Sequence, residues 1–376
     1  QFAQQFKVGC NSLCTNAKVK AMTNYLLAGG GTAGHVNPLL ALADAIRADS
    51  TLHHIFALGT VEGLEQQLVP ERGYELITID RLPFPRKINR YAFRFIGAFL
   101  AAVRACERIL REKQIDVVVG FGGYASAPAY LAAKKLGIPV VVHEANALPG
   151  WANKLGNKFA AATGVAFKNT KLKNAEFVGM PLRKEIEEVA RVADKSMARK
   201  HFGLDPKTIT LLVTGGSLGA KTINQTIDDS RNVLKAAGIQ VLHIVGGKSE
   251  FDEISDDDYK RIKYCDQMDL AIAASDFAVA RAGASTVSEF AAVGLPAIYV
   301  PYPVGNGEQK FNVSELVSAG GGVLVADHEF TAQYVAEKLV PLISNTKLLG
   351  QMSAAAKEYG IADGTDRLFK LVQGVL

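Results

Sequence analysis

The chain has 376 residues, 48% hydrophobic and 21% charged, with a formal net charge of +5. That length exceeds one ordinary domain and the apolar share fills two cores, while no apolar run approaches the ~20 residues needed to cross a bilayer and no cleavable secretory signal is visible. Cys10, Cys14, Cys106 and Cys265 are too few and scattered for a disulfide framework; Cys10 and Cys14 form at most half a metal site, so a cytoplasmic protein without a bound metal or other cofactor is expected.

Residues 1–21 are polar, carry three lysines and no acid, and read as a non-native or disordered extension ahead of Met22. From Tyr25 onward, short apolar runs alternate with helical periodicity, the pattern of a parallel sheet with crossover helices. Strands are expected at Tyr25–Ala28, His54–Leu58, Leu76–Ile79, Val117–Gly120, Val140–His143 and Phe177–Val178, with helices at Pro38–Ala48 and Arg104–Lys113. Gly179-Met180-Pro181 breaks the pattern. The alternation then restarts at Ile209–Thr214, Val241–Val245, Phe277–Ala280 and Ala297–Val300. A last helical stretch, Thr365–Val375, is expected to return to the first domain. The reading is therefore two α/β domains, 22–180 and 181–358, followed by a packing-back helix within 359–376. Residues 22–180 carry a net charge of +6 and residues 181–376 a net of −4, so the first half is the one suited to an anionic surface.

The halves echo each other. The first strand runs into Gly29-Gly30-Gly31-Thr32-Ala33-Gly34, and Ile209–Thr214 runs into Gly215-Gly216-Ser217-Leu218-Gly219-Ala220. Ala125-Ser126 leads to Ala132-Ala133 and Gly137-Ile138-Pro139; Ala284-Ser285 leads to Ala291-Ala292 and Gly294-Leu295-Pro296. One α/β plan used twice explains both echoes. In such sheets ligands bind beyond the carboxyl ends of the strands.

Gly29 to Gly34 fits a dinucleotide fingerprint, whose glycines let amides approach phosphate at a helix start. The acid needed to hold a ribose near the end of the second strand is missing, since that strand ends Ala57-Leu58-Gly59-Thr60. A nicotinamide or flavin dehydrogenase is thereby disfavoured. His35 follows the loop and suits general-base work at neutral pH, although a helix-capping histidine explains the position equally well; His143 reads as structural. Ser217 lies in a loop resembling a second phosphate cradle, or an ordinary strand-to-helix turn. Arg281 through Glu289 places Ser285 and Thr286 before a helix. Glu289 there either completes a capping arrangement or accepts two ribose hydroxyls. Gly305-Asn306-Gly307-Glu308-Gln309 with Asn312 supplies amides and a carboxylate suited to sugar hydroxyls.

Taken in order, Ala28 to Val36, Gly120 to Tyr124, His143-Glu144-Ala145-Asn146, Gly215 to Ala220 and Arg281 to Glu289 resemble the MurG family of bacterial peptidoglycan N-acetylglucosaminyltransferases, from about Asn24 to the C-terminus. The resemblance implies a GT-B fold, two Rossmann-like domains facing across a cleft. It implies inverting transfer of N-acetylglucosamine from UDP to the 4-hydroxyl of undecaprenyl-linked muramyl-pentapeptide, with no required metal. It implies donor contacts at Thr32, Ala33, Gly34, Asn146, Arg183, Ser217, Cys265, Ala284, Ser285, Thr286, Glu289 and Gln309. His35 matches the base, with Glu144 as the alternative, and Tyr124 and Glu144 lie near the acceptor. Ala33, Ala145 and Glu308 depart from the residues usual in the family. Arg183 or Arg281, with loop amides, would steady the leaving diphosphate. Other readings are a GT-B enzyme with a diacylglycerol or natural-product acceptor, a UDP-sugar epimerase, and a non-catalytic sugar-nucleotide binding module; nucleic acid is not an expected partner.

The acceptor lipid implies contact with the inner face of the membrane. Arg81, Arg86, Lys87, Arg90 and Arg94 occur without an intervening acid, interleaved with or followed by Phe84, Tyr91, Phe93, Phe95 and Phe99. Such a segment suits an anionic interface, or else the rings are core and the arginines a solvated face.

Overall fold

The computed structural model describes residues 22–83, 90–304 and 307–376; at Ala33 and at 90–93 the description is of the backbone alone. The 1–21 extension with Cys10 and Cys14, and Phe84, Arg86, Lys87, Gly305 and Asn306, lie outside the described residues.

The first sheet contains β1 (Asn24–Ala28), β2 (His54–Thr60), β3 (Glu75–Ile79), β4 (Val117–Gly120), β5 (Val140–Glu144), β6 (Ala162–Val165) and β7 (Glu176–Phe177). Their order is 3-2-1-4-5-6-7, parallel throughout. The second contains β8 (Thr210–Thr214), β9 (Gln240–Ile244), β10 (Ile254–Ser255), β11 (Tyr259–Ile262), β12 (Phe277–Ala280), β13 (Ala297–Tyr299) and β14 (Gly322–Leu324). It is ordered 10-11-9-8-12-13-14, antiparallel only between β10 and β11. The strands β1, β4, β5, β8, β9 and β12 are buried along their whole length. Apolar layers on both sheet faces account for this, and for strands that read as near-continuous apolar runs.

The sequence echo is a topological one. β1, β4 and β5 are adjacent in the first sheet as β8, β12 and β13 are in the second. The equivalent helices Ser126–Leu136 and Ala284–Val293 both end at a left-handed glycine, Gly137 (φ 72°) and Gly294 (φ 82°). There the chain leaves the helix without a Cβ penalty and the proline two residues on starts the return to the sheet.

Several bounds differ from expectation. The first helix begins at Ala33 and carries Pro38 inside it, where the missing N–H removes a single bond near the helix start. The helix expected at Arg104–Lys113 spans Arg90–Glu112. Strands β6, β10, β11 and β14 had no strong apolar run to announce them.

The chain crosses between domains at Gly179–Arg183 and again before Gly364, and the crossings lie side by side. The Leu182 amide donates to Thr365 Oγ1 at 3.2 Å. A Cβ on Gly179 (φ 83°) would collide with Ile361, and one on Gly364 with the Met180 carbonyl. The helix Gly364–Gln373 then packs Leu368 and Val372 into the first domain's core beside Leu27 and Val119.

Candidate active site

The carboxyl ends of both sheets face one cavity of about 500 Å³. Thr32, Gly34, His35 and Asn146 line it from the first domain; Ser217, Cys265, Ala284, Ser285, Thr286, Glu289 and Gln309 line it from the second, with Arg183 beside the linker. A smaller cavity of about 260 Å³ continues from His35 past Tyr124 and Glu144 toward Phe95, Phe99 and Trp151.

On the first-domain rim, the glycine loop bends sharply at Gly31 (φ 89°). Its Gly31 amide does not face the cavity as a phosphate donor. It donates to Glu65 Oε2 at 2.7 Å, while Thr60 N donates to Oε1 at 2.9 Å. Glu65 is 1% exposed; a Cβ on Gly30 or Gly63 would strike its carboxyl, and one on Gly59 its Cγ. His35 sits in the first helical turn with Nδ1 3.1 Å from the Gly30 carbonyl and 3.4 Å from Thr32 Oγ1. A carbonyl can only accept, so the network assigns the proton to Nδ1 and leaves Nε2 with the lone pair.

Glu144 closes β5 and is buried. Its oxygens accept from Asn146 N, Gly150 N and Asn153 Nδ2, each at 2.9 Å. Those bonds fold the loop 144–150 and place Asn146 at the cavity. Tyr124 is partly exposed, with the Arg81 guanidinium 5.2 Å from its ring centre.

In the second domain, the helix Ala284–Val293 starts at Gly283 with no side-chain cap, so its first amides are left to whatever occupies the cavity. The capping reading of Glu289 does not hold: it lies beyond the first turn and reaches Arg183 at 3.5 Å. Burial pushes the Glu289 carboxyl up from its ordinary value and the Arg183 guanidinium pulls it back. Burial also raises the Cys265 thiol. Two buried polar atoms at this end have no protein partner, Arg183 Nε and Ser285 Oγ. Gln309 Oε1 accepts from Tyr302 N at 2.9 Å, which fixes the side chain at the rim.

Arg281 and Asn312 do not line the cavity. The Arg281 guanidinium binds Asp327 and the carbonyls of Val300 and Pro301, both at 3.1 Å, so its charge is spent within the second domain. Asn312 is buried between the domains. Its Oδ1 accepts from Ala147 N at 2.9 Å and its Nδ2 donates to Asn146 Oδ1 at 3.3 Å. Sequence reasoning missed Glu65 and Asn153 entirely. Glu65 grips a loop 34 positions away, and nothing local in the sequence marks such a partner.

Residues 25–165 match the Glycosyltransferase family 28 N-terminal domain and residues 210–368 its C-terminal domain. A UDP-N-acetylglucosamine–N-acetylmuramyl-(pentapeptide) pyrophosphoryl-undecaprenol N-acetylglucosamine transferase of Leifsonia xyli is 54% identical, over 94% of this chain and 98% of its own. The protein of that name from Clavibacter sepedonicus is 56% identical, over 94% and 96%. Among solved structures, Acinetobacter baumannii MurG superposes with a TM-score of 0.76 at 25% identity, covering 94% of this chain and 99% of that one.

Proposed function

This chain belongs to the MurG family within glycosyltransferase family 28, and on that premise we propose how its cleft carries out the transfer. The protein is a GT-B glycosyltransferase that moves N-acetylglucosamine from UDP-N-acetylglucosamine to N-acetylmuramyl-(pentapeptide) pyrophosphoryl-undecaprenol, a step of peptidoglycan synthesis.

The donor enters the second-domain side of the cleft. Uracil lies against the Cys265 backbone and Glu289 takes the ribose hydroxyls. The diphosphate occupies the space between the Ser217 loop and the uncapped start of helix Ala284–Val293. The observation that carries this reading is the set of unmet polar groups there: helix amides, Ser285 Oγ and Arg183 Nε at one end of one cavity. A diphosphate supplies acceptors to all of them. Gln309, with Glu308 beside it, faces the sugar.

The acceptor comes from the His35 side, through the cavity lined by Tyr124 and Glu144. His35 Nε2 removes the proton of the muramyl 4-hydroxyl as its oxygen bonds to C1 of N-acetylglucosamine from the face opposite UDP. The C1–O bond breaks with its electrons on the β-phosphate oxygen, so the anomeric centre inverts. Helix dipole, amides and Arg183 stabilise that charge. Of the two candidate bases we favour His35, because Glu144 already holds three donors.

Since the acceptor stays in the bilayer, the first domain works at the inner membrane face. The helix Arg90–Glu112 exposes Ile96 (61%) and Leu100 (50%), its Phe99 lies against Trp151, and no helix among the described residues is long and apolar enough to cross a membrane.

Calorimetric titration tests the donor assignments. Glu289→Ala should weaken UDP and UDP-N-acetylglucosamine alike, whereas Gln309→Ala should spare UDP and weaken only the sugar nucleotide, by about 0.5–1.5 kcal/mol for a neutral hydrogen bond. Equal losses for both ligands in both variants would sink this division of labour.

A further inference from the structure

We propose that Glu65 is a positioning residue for the base, acting on His35 through the single peptide group that joins Gly30 to Gly31. The N–H of that peptide donates to Glu65 Oε2 at 2.7 Å, and its carbonyl lies 3.1 Å from His35 Nδ1. Carboxylate, peptide and imidazole thus form one hydrogen-bonded line. A carboxylate on the N–H side polarises the amide, makes its carbonyl a stronger acceptor and tightens the bond to Nδ1–H. Two consequences follow at Nε2. The neutral ring is held in the tautomer whose Nε2 lone pair can take a proton, and the imidazolium formed during transfer meets a strengthened dipole rather than a neutral one. This is the duty that a directly bonded carboxylate performs for a catalytic histidine, here carried across one peptide bond.

The surroundings keep the peptide in that orientation. Gly30 and Gly63 pack where a Cβ would strike the Glu65 carboxyl, and Gly59 where a Cβ would strike its Cγ. From the other side Gly123 (φ 81°) leaves only enough room that a Cβ there would come within 2.8 Å of the Gly30 carbonyl oxygen. Thr60 fixes the far oxygen of Glu65: its amide donates to Oε1 at 2.9 Å, and its hydroxyl lies 2.8 Å from Oε1 and 2.6 Å from the Glu62 carbonyl, with one hydrogen to share. The carboxylate therefore has one oxygen committed to the scaffold and one to the loop.

The inference rests on His35 as the base, and its test separates the two claims. Glu65→Gln keeps the shape but supplies one acceptor oxygen. That oxygen goes to Thr60, which presents an amide and a hydroxyl, and the NH2 is left against Gly31 N–H, so the peptide turns and Nδ1 loses its acceptor. Nitrogen-15 NMR of histidine-labelled protein reads the tautomer of neutral His35 directly, its resonance identified by loss in His35→Gln. The expected result is Nδ1–H in the wild type, a smaller Nδ1–H population in Glu65→Gln, and kcat reduced about 10- to 100-fold, the size usual for partners that orient a functional histidine. KM for UDP-N-acetylglucosamine should move less than about threefold, because the groups proposed to hold the nucleotide, Ser217, Ser285 and Glu289, line the cavity from the other domain. Should Glu65→Gln fail to fold, the wild-type spectrum still decides: an Nε2–H tautomer overturns the proposal. So does a folded Glu65→Gln with unchanged tautomer and kcat. Full turnover in His35→Ala would instead overturn the base assignment while leaving the tautomer result standing.

Discussion

At His35 the structure supplies a lone pair on Nε2, held by one bond from Nδ1 to a main-chain carbonyl. Replacing the imidazole with the methyl of His35→Ala removes that lone pair together with the bond to the Gly30 carbonyl. Turnover should drop roughly 10²–10⁴-fold, with UDP affinity and thermal stability near wild type; turnover close to wild type would reassign the proton to another group. The place of His35 at the cavity was legible because it follows a glycine loop at a strand end. The partners that decide charged side chains were not. Arg281 ends a strand as a phosphate ligand would, yet Asp327, 46 positions on, claims its guanidinium. Glu144 looks like a second base until Asn146, Gly150 and Asn153 close round it. A sequence gives the residue type at a strand end; the competition between ligand and protein for its charge is settled by tertiary contacts.

At the scale of elements, the fully buried strands were readable to within a residue or two, because apolar runs are local signals. The short strands β6, β10, β11 and β14 were not, since they carry no strong apolar run and borrow much of their order from neighbours. The helix Arg90–Glu112 was seen only in its second half, where its buried stripe is regular. One element property has a pH consequence. His143 on β5 is wholly buried and donates from Nε2 to the Gly179 carbonyl of the linker at 3.1 Å, while Nδ1 has no partner. Burial depresses its pKa to about 4, and that of buried His243 on β9 to about 3. Below the unfolded value of about 6.5 the unfolded chain binds protons that the native chain refuses, so stability falls as pH drops from 6.5 toward 4 and is flat in this respect above 6.5. Each histidine contributes on the order of 3 kcal/mol by the lower end of that window. Urea midpoints at pH 7.5 and 5.0 check this: His143→Gln should lessen the loss between the two, and an unchanged difference would remove His143 from the account.

For the molecule as a whole, the duplication and the two-domain cleft were legible, and so was the positive first half. Which groups of that half would make the proposed membrane contact was only partly so. Phe95 is buried against Phe99, and the exposed apolar face belongs to Ile96 and Leu100, with Arg94, Arg104 and Arg108 also exposed on that helix. Liposome co-sedimentation should show binding that needs anionic lipid and declines with salt, each cation near the surface being worth about 1 kcal/mol. It should weaken both in Arg86→Glu/Lys87→Glu/Arg90→Glu and in Ile96→Asp/Leu100→Asp; indifference to lipid charge and to both sets of changes would detach this face from the bilayer. The transfer joins two substrates held by two domains, and one assay follows both. Purified protein is mixed with UDP-N-acetylglucosamine and undecaprenyl-diphosphate-linked muramyl-pentapeptide, and the lipid product and UDP are quantified by mass spectrometry. The predicted result is a lipid heavier by one N-acetylhexosamine, formed in step with one UDP and only when both substrates are present. Release of UDP with free sugar and no heavier lipid, or no turnover at all from protein that binds the donor, would contradict it.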